Sequence, residues 1–256
     1  MCILFIGVNQ HKHFPLIIAA NRDEYHARPT QGSQFLTQYP SVLAGKDIKA
    51  GGSWMGVSKS GRLAALTNIR APQREKAEAV SRGELVMDYL CENEDEQQYL
   101  TRLKQSANNY NGYNLLFGTL NNLQVYNNYE DSVYALEEGV YGLSNANLNA
   151  PWPKLDLGRS ELAKYCQQSN ELNIEHLFSL LKNDKKATDD VLPETGAPIE
   201  WERKLSSIFI ASPEYGTRSS TVLLLDRFNQ VFWQERSFDS QAELVNQQTY
   251  LFSLDC

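Results

Sequence analysis

This chain predicts an α+β fold, two antiparallel sheets packed together and covered by helices, and three observations carry that prediction. Short β-prone runs come in pairs around turn-forming residues, the signature of hairpins. Helical spacing is confined to stretches lying between those pairs. No internal repeat, low-complexity tract or convincing linker divides the chain. Its 256 residues, 42% hydrophobic and 11% aromatic, therefore read as one domain spanning 1–256 with a substantial core.

The first hairpin joins residues 2–8 to 16–20, two nearly unbroken apolar runs around Asn9-Gln10-His11-Lys12-His13. A turn centred near His11-Lys12 makes paired residue numbers sum to about 23–24. The second joins 51–57 to 62–69, with Gly61 supplying the positive φ of a short turn. Residues 81–92 place Leu85, Val86, Tyr89 and Leu90 at helical spacing, and Ser81 three before Glu84 resembles a capping box. A second, more polar helix is expected over 95–107. Residues 113–120 and 123–129 bracket Asn121-Asn122 as a third hairpin, followed by strands over 133–136 and 140–144. Helices are expected over 160–169 and 174–182, and the acidic stretch 183–198 reads as a long surface loop. A helical turn over 201–206 leads to a strand over 208–211, and a last hairpin joins 221–225 to 230–234.

A formal net charge of −7 argues against a general nucleic-acid binder, because a phosphate backbone wants a basic surface. No run of about 18 apolar residues exists to span a bilayer. The first apolar run lacks a basic leader and a small-residue cleavage site, so it does not read as a secretory signal. Cys2, Cys91, Cys166 and Cys256 are widely spaced, without CxxC pairs or clustered histidines. That fits a reducing, cytoplasmic setting and argues against a zinc site or a disulfide framework.

The chemistry concentrates at the start. Met1 precedes a small side chain, so aminopeptidase processing is expected to expose Cys2, whose α-amine, with a pKa of about 7.7–8, can act as the thiol's own base. The plain alternative is a small buried residue opening an apolar strand. Hairpin pairing sets Cys2 opposite Asn21-Arg22-Asp23, where a guanidinium favours thiolate and a carboxylate can hold the amine. The alternative there is a solvated strand end with local ion pairs.

These residues also resemble a known family. Met1-Cys2, Ala20-Asn21-Arg22-Asp23-Glu24, Gly51-Gly52-Ser53-Trp54-Met55-Gly56, Leu66-Thr67-Asn68-Ile69-Arg70, Ser81-Arg82-Gly83, Gly142-Leu143-Ser144-Asn145 and Tyr215-Gly216-Thr217-Arg218 are similar to motifs of the NRDE family, also called the transport and Golgi organization family. The resemblance runs from Met1 to about Asp226 of the chain. The family resembles the N-terminal nucleophile hydrolases, which implies a four-layer helix–sheet–sheet–helix sandwich of antiparallel sheets. By that resemblance Cys2 is the nucleophile, Arg22 its thiolate partner and Asp23 the holder of the α-amine. Asn68 and Asn145 are oxyanion or amine ligands, and Arg218 is a second cation. One departure stands out: Arg22 and Asp23 are adjacent, so strand alternation points them to opposite faces unless the strand bends or bulges.

Two functions follow from the resemblance. The first is ligand handling, implied as intracellular haem mobilisation or acyl-CoA and lipid handling, with no cofactor required and haem as a ligand. Trp54 and Met55 would line the cleft, and Arg22 or Arg70 would meet a propionate or phosphate; plain core is the alternative for Trp54 and Met55. Candidate axial ligands are His11, His13, His26, His176 and Cys2, with His11 and His13 also reading as turn residues. The second function is an N-terminal cysteine hydrolase of a small amide or thioester. A non-catalytic scaffold docking through residues 183–198 is a third expectation, beside a simple solvated connection.

Overall fold

The structure is a computed structural model that describes residues 2–92, 94–168 and 173–255. Met1, Cys256 and residue 169 of the helix expected over 160–169 lie outside the described residues. Strands β1 (Cys2–Val8), β2 (Leu16–Tyr25), β3 (Thr30–Phe35), β4 (Val42–Asp47), β5 (Met55–Ser58) and β6 (Arg62–Asn68) precede helices α1 (Gly83–Cys91) and α2 (Glu96–Ser106). Strands β7 (Tyr113–Thr119), β8 (Asn122–Asn127), β9 (Ser132–Ala135) and β10 (Gly139–Leu143) follow, then helices α3 (Pro153–Gln168), α4 (Ile174–Leu181) and α5 (Ile199–Lys204). The last strands are β11 (Tyr215–Leu225), β12 (Gln230–Phe238) and β13 (Leu244–Ser253).

The strands form two sheets, ordered β10-β1-β2-β11-β12-β13 and β3-β4-β5-β6-β7-β8-β9. Side-chain alternation then builds the layers. Leu4, Ile6, Leu16 and Ile18 of one sheet meet Leu43, Val57, Leu63 and Leu116 of the other in a shared core. The alternate residues Ile3, Phe5, Ile17 and Ala19 pack under Leu155, Leu162 and Leu177 of α3 and α4. On the far side Ala44, Ala64, Leu115 and Phe117 lie under Leu85, Tyr89 and Leu103 of α1 and α2. The order is helix, sheet, sheet, helix. Burial on both faces is why β1 and β2 read as continuous apolar runs and not as alternating ones.

Several local expectations change. Residues 208–211 form a loop, buried over Ile208, Phe209 and Ile210, because their backbone groups bond to loops and side chains and not to a ladder: Phe209 N–H donates to Asn183 O (2.8 Å) and Ile210 N–H to Thr217 Oγ1 (2.9 Å). The capping box at Ser81 and Glu84 is not made. Arg82 is the residue before α1 and carries no side-chain cap, while Glu84 accepts from the Tyr110 hydroxyl at 2.6 Å. The third hairpin turns one residue earlier, with Thr119 opposite Asn122. Helix α3 begins at Pro153, whose fixed φ suits the first turn, seven residues before the expected start at 160. Strands β3, β4 and β13 add to those expected.

Candidate functional site

Register puts the opening of β1 and the end of β2 side by side. Cys2 pairs with Arg22 and Leu4 with Ala20, so the paired numbers sum as the hairpin predicts. Cys2 and Arg22 share the parity of the residues facing the second sheet, whereas Asn21 and Asp23 share that of the residues facing the helices. Asn21 confirms the helix side: its Nδ2 donates to Leu181 O (2.8 Å) and Ile208 O (3.0 Å). In β11 the register slips between Thr217 and Ser219, a bulge that sets Arg218 outside the ladder opposite Asp23 and Arg22.

These strand ends floor a cleft of about 370 Å³. It is lined by Cys2, Arg22 and Asp23 from the strand ends, by Trp54, Leu66 and Asn68, and by the segment 79–83 entering α1. Arg22 is 5% exposed and its guanidinium carbon lies 4.3 Å from the Trp54 ring centroid, with Nη1 donating to Thr30 Oγ1 at 3.1 Å. Trp54 reaches that position because β4 carries Gly45 beneath it, where a Cβ would stand 2.2 Å from the indole. Arg28 and Asp47 close the rim as an ion pair at 2.6 Å. The segment 79–83 is held against the residues leading to Trp54 by two glycines crossing backbone to backbone: a Cβ at Gly52 would lie 2.4 Å from the Gly83 carbonyl carbon, and Ser53 N–H donates to Gly83 O at 3.0 Å.

Burial pushes the half-buried Cys2 thiol above its ordinary pKa, and Asp23 adds to the effect while Arg22 opposes it. Burial likewise raises the Asp23 carboxyl, against the hydrogen bond that Thr217 Oγ1 donates to its Oδ1 at 2.7 Å. Behind Asp23 lies a second polar layer. Lys154 is buried with its Nζ donating to Leu205 O at 2.9 Å, and burial and the Arg70 charge push its pKa down to about 7. Arg70 is ion-paired with Glu202, both side chains almost wholly enclosed, and its guanidinium lies 4.9 Å from the Trp152 ring centroid. Glu202 also accepts from Thr195 Oγ1, tying the segment before α5 to the end of β6.

The structure therefore brings Cys2, Arg22, Asp23, Asn68 and Trp54 to one cleft. Asn145 stands one step behind, its Nδ2 donating to Asn68 O at 2.9 Å. Met55 borders a narrow gap between the sheets behind Cys2. Arg70 faces Glu202 and not the cleft. Arg218 spends its Nη1 on the carbonyls of Tyr25, His26 and Arg28 at 3.1–3.2 Å, while its charge acts on Arg22 and Glu24. His11 stacks on Tyr165 in the β1–β2 turn, His26 bonds Ser212 O at 3.2 Å, and His176 meets Tyr165 from α4. None of these histidines lines the cleft. Sequence reasoning overlooked Arg82, which lines it, and Lys154 and Glu202, which brace it. The signal for Arg82 was present in Ser81-Arg82-Gly83 and that for Lys154 in Pro151-Trp152-Pro153-Lys154, which is similar to a motif of the same family; Glu202 lies in a polar helix that marks no site.

The family described as Transport and Golgi organisation 2 matches residues 1–240. The Transport and Golgi organization protein 2 homolog of Homo sapiens is 34% identical over 99% of both chains, and that of Bos taurus 35% over 93% of both. The Drosophila melanogaster Transport and Golgi organization protein 2 is 27% identical, over 93% of this chain and 92% of its own. Solved structures similar in shape include the mutant C2A conjugated bile acid hydrolase from Clostridium perfringens, with TM-score 0.44 and 10% identity over 99% of this chain and 97% of that one. The N-acylethanolamine-hydrolyzing acid amidase ortholog of Caenorhabditis elegans has TM-score 0.48 and 9% identity, over 88% and 92%.

Proposed function

The chain belongs to the Transport and Golgi organisation 2 family, and from that premise we propose that its cleft binds a small acyl compound whose carbonyl Cys2 attacks. The observation that carries this reading is the register pairing of Cys2 with Arg22 at the floor of a solvent-reaching cleft. With the thiol held up by burial, the resting sulfur is protonated near neutral pH and needs a base. Once Met1 is removed, the α-amine of Cys2 is that base. The thiol proton passes to the amine as Sγ bonds the carbonyl carbon, and the oxyanion forms beside Asn68. Collapse breaks the carbon–nitrogen or carbon–sulfur bond, the leaving group takes the proton from the ammonium, and water then releases the acyl group from the thioester.

Asn68 lines the cleft, whereas Asn145 acts through the Asn68 carbonyl as a positioning residue. An oxyanion donor is worth about 3–4 kcal/mol. Asp23, fixed by Thr217, sits where it can hold the ammonium. Free thiols at Cys2, Cys91 and Cys166 fit action in a reducing compartment, the cytoplasm.

A second reading is ligand handling without turnover, with haem or acyl-CoA as the bound molecule. It is favoured by the guanidiniums of Arg22 and Arg82 near the Trp54 wall, which would meet propionates or phosphates. For haem the lining offers Cys2 sulfur and no imidazole.

Intact mass before and after iodoacetamide, with hydrolysis of a panel of short acyl amides and thioesters, tests the proposal. Loss of Met1, one adduct at Cys2 and turnover abolished in Cys2→Ala are expected. Retained Met1 together with an unreactive Cys2 would eliminate it. A haem or acyl-CoA spectral shift that survives Cys2→Ala, without turnover, would establish the second reading.

A further inference from the structure

The motif Ser81-Arg82-Gly83 has no part in the cysteine chemistry proposed above, yet it lines the same cleft as Cys2. Charges in the cleft are unevenly matched. Arg28 is neutralised internally by Asp47 at 2.6 Å and Glu24 at 3.8 Å. Arg22 and Arg82 enter no ion pair among the described residues: Arg22 donates to a threonine hydroxyl, and Arg82 Nη1 donates to the Gly112 carbonyl at 3.0 Å. Arg22 is 5% exposed, so its charge is held in a largely desolvated place, where the buried carboxylates of Glu235 and Asp23 act on it through space and not as a contact ion pair such as that of Arg28. Such a charge is expensive unless a counterion joins it. The wall that carries Arg82 is also rigid, pinned by the crossing of Gly52 and Gly83. Its position is therefore built into the fold.

We propose that Arg82 is an anion-recognition residue and that the compound bound in the cleft carries a carboxylate in addition to the carbonyl that Cys2 attacks. The proposal rests on the reading of Cys2 as nucleophile and names the substrate class for it: monoamides or monothioesters of small dicarboxylic acids. The carboxylate accepts from the Arg82 guanidinium, and Arg22 remains beside the sulfur. A planar guanidinium matches a carboxylate in two parallel hydrogen bonds, which a lysine cannot reproduce.

Two alkylating reagents of nearly equal size test this without knowledge of the natural ligand. Iodoacetate and iodoacetamide each give the same thioether step: Sγ bonds the CH2 carbon, iodide leaves with the carbon–iodine electron pair, and the thiol proton goes to buffer. The ratio of the two rates at Cys2, read by peptide mass and divided by the same ratio for N-acetylcysteine, cancels changes in the thiol itself. Arg82→Gln is expected to lower that ratio roughly tenfold, the worth of one charge-assisted hydrogen bond. Arg82→Lys is expected to keep part of it. Cys91, whose acidic neighbours Asp88 and Glu92 help hold its thiol protonated, is expected to show the opposite preference in the same digest.

Glutarate at millimolar concentration is expected to shield Cys2 from iodoacetamide in the unmutated protein, a reading that needs no variant to fold. A Cys2 that reacts while its ratio ignores Arg82→Gln overturns this inference and leaves the proposed function standing. A Cys2 that reacts with neither reagent overturns both. Protection by inorganic phosphate but not by glutarate overturns the choice of a carboxylate.

Discussion

Glu202→Gln is a near-isosteric substitution from which the structure predicts a large loss of stability. The side chains of Arg70 and Glu202 are 5% and 3% exposed. Nε and Nη2 of Arg70 are buried without a hydrogen-bond partner, so Glu202 is the acceptor on which the guanidinium depends. Lys154 adds a second buried cation that feels Arg70 as repulsion and Glu202 as attraction. Breaking a buried pair from one side costs about 3–5 kcal/mol, because the remaining charge has neither water nor a counterion. The amide keeps one acceptor oxygen and Lys154 can shed its proton, which places the expected loss near the low end, about 3 kcal/mol. For a chain of this size that lowers Tm by roughly 6–12 °C. Urea unfolding followed by tryptophan fluorescence measures it, with the m-value unchanged. The double variant Arg70→Met with Glu202→Leu is expected to recover most of the loss, since a well-packed apolar pair can replace a buried ion pair. A loss below about 1 kcal/mol for Glu202→Gln would show that water reaches the pair, and would refute the reasoning.

Three other outcomes follow from the geometry. Lys154 has a pKa near 7 when folded and about 10.4 when unfolded, so between those values the unfolded chain binds more protons. Its contribution to stability is full above the unfolded pKa and is lost as pH falls toward 7, with a slope of at most about 1.4 kcal/mol per pH unit. The raised thiols of Cys2, Cys91 and Cys166 slope the other way above about pH 8.5, so the unfolding free energy of the wild type minus that of Lys154→Met, followed from pH 7 to 8.5, is the quantity to measure; a flat difference contradicts the prediction. Gly52→Ala forces a Cβ to within 2.4 Å of the Gly83 backbone and is expected to cost about 1–3 kcal/mol while lowering the iodoacetate preference at Cys2. Gly158→Ala puts a Cβ 2.1 Å from the Phe5 ring and is expected to destabilise by a similar amount, seen as a lower thermal midpoint with that preference kept.

The hairpin at the start was legible because two apolar runs flank a polar turn, which narrows the pairing to registers one residue apart; the observed pairing of Cys2 with Arg22 is the one whose numbers sum to 24. The opposite facing of Arg22 and Asp23 was legible from strand alternation alone. Other parts carried weaker signals. Strand β13 is exposed along most of its length, with Leu244 at 51% and Leu251 at 67%, and only its second half turns a face inward, through Tyr250 and Phe252, so its period is short and weak in the sequence. Strand β3 is polar throughout apart from Phe35. The first half of α3 was obscured by Lys154, a lysine with 4% exposure where a charged residue ordinarily marks a surface. In the site, Cys2, Arg22 and Asn68 were readable from pairing and resemblance. Arg82 was legible only as a member of the motif Ser81-Arg82-Gly83, because its spacing alone assigns an arginine before a helix no role until the cleft is folded around it.

Trp54 beneath Arg22 has an optical consequence. The chain has four tryptophans, and the indole under Arg22 is the one that borders the cleft. A molecule that draws the guanidinium off the ring changes the field across that chromophore, so occupancy reports itself as a shift in emission with no dye attached. Replacing Trp54 by Phe, and leaving Trp152, Trp201 and Trp233 in place, isolates that signal from the rest.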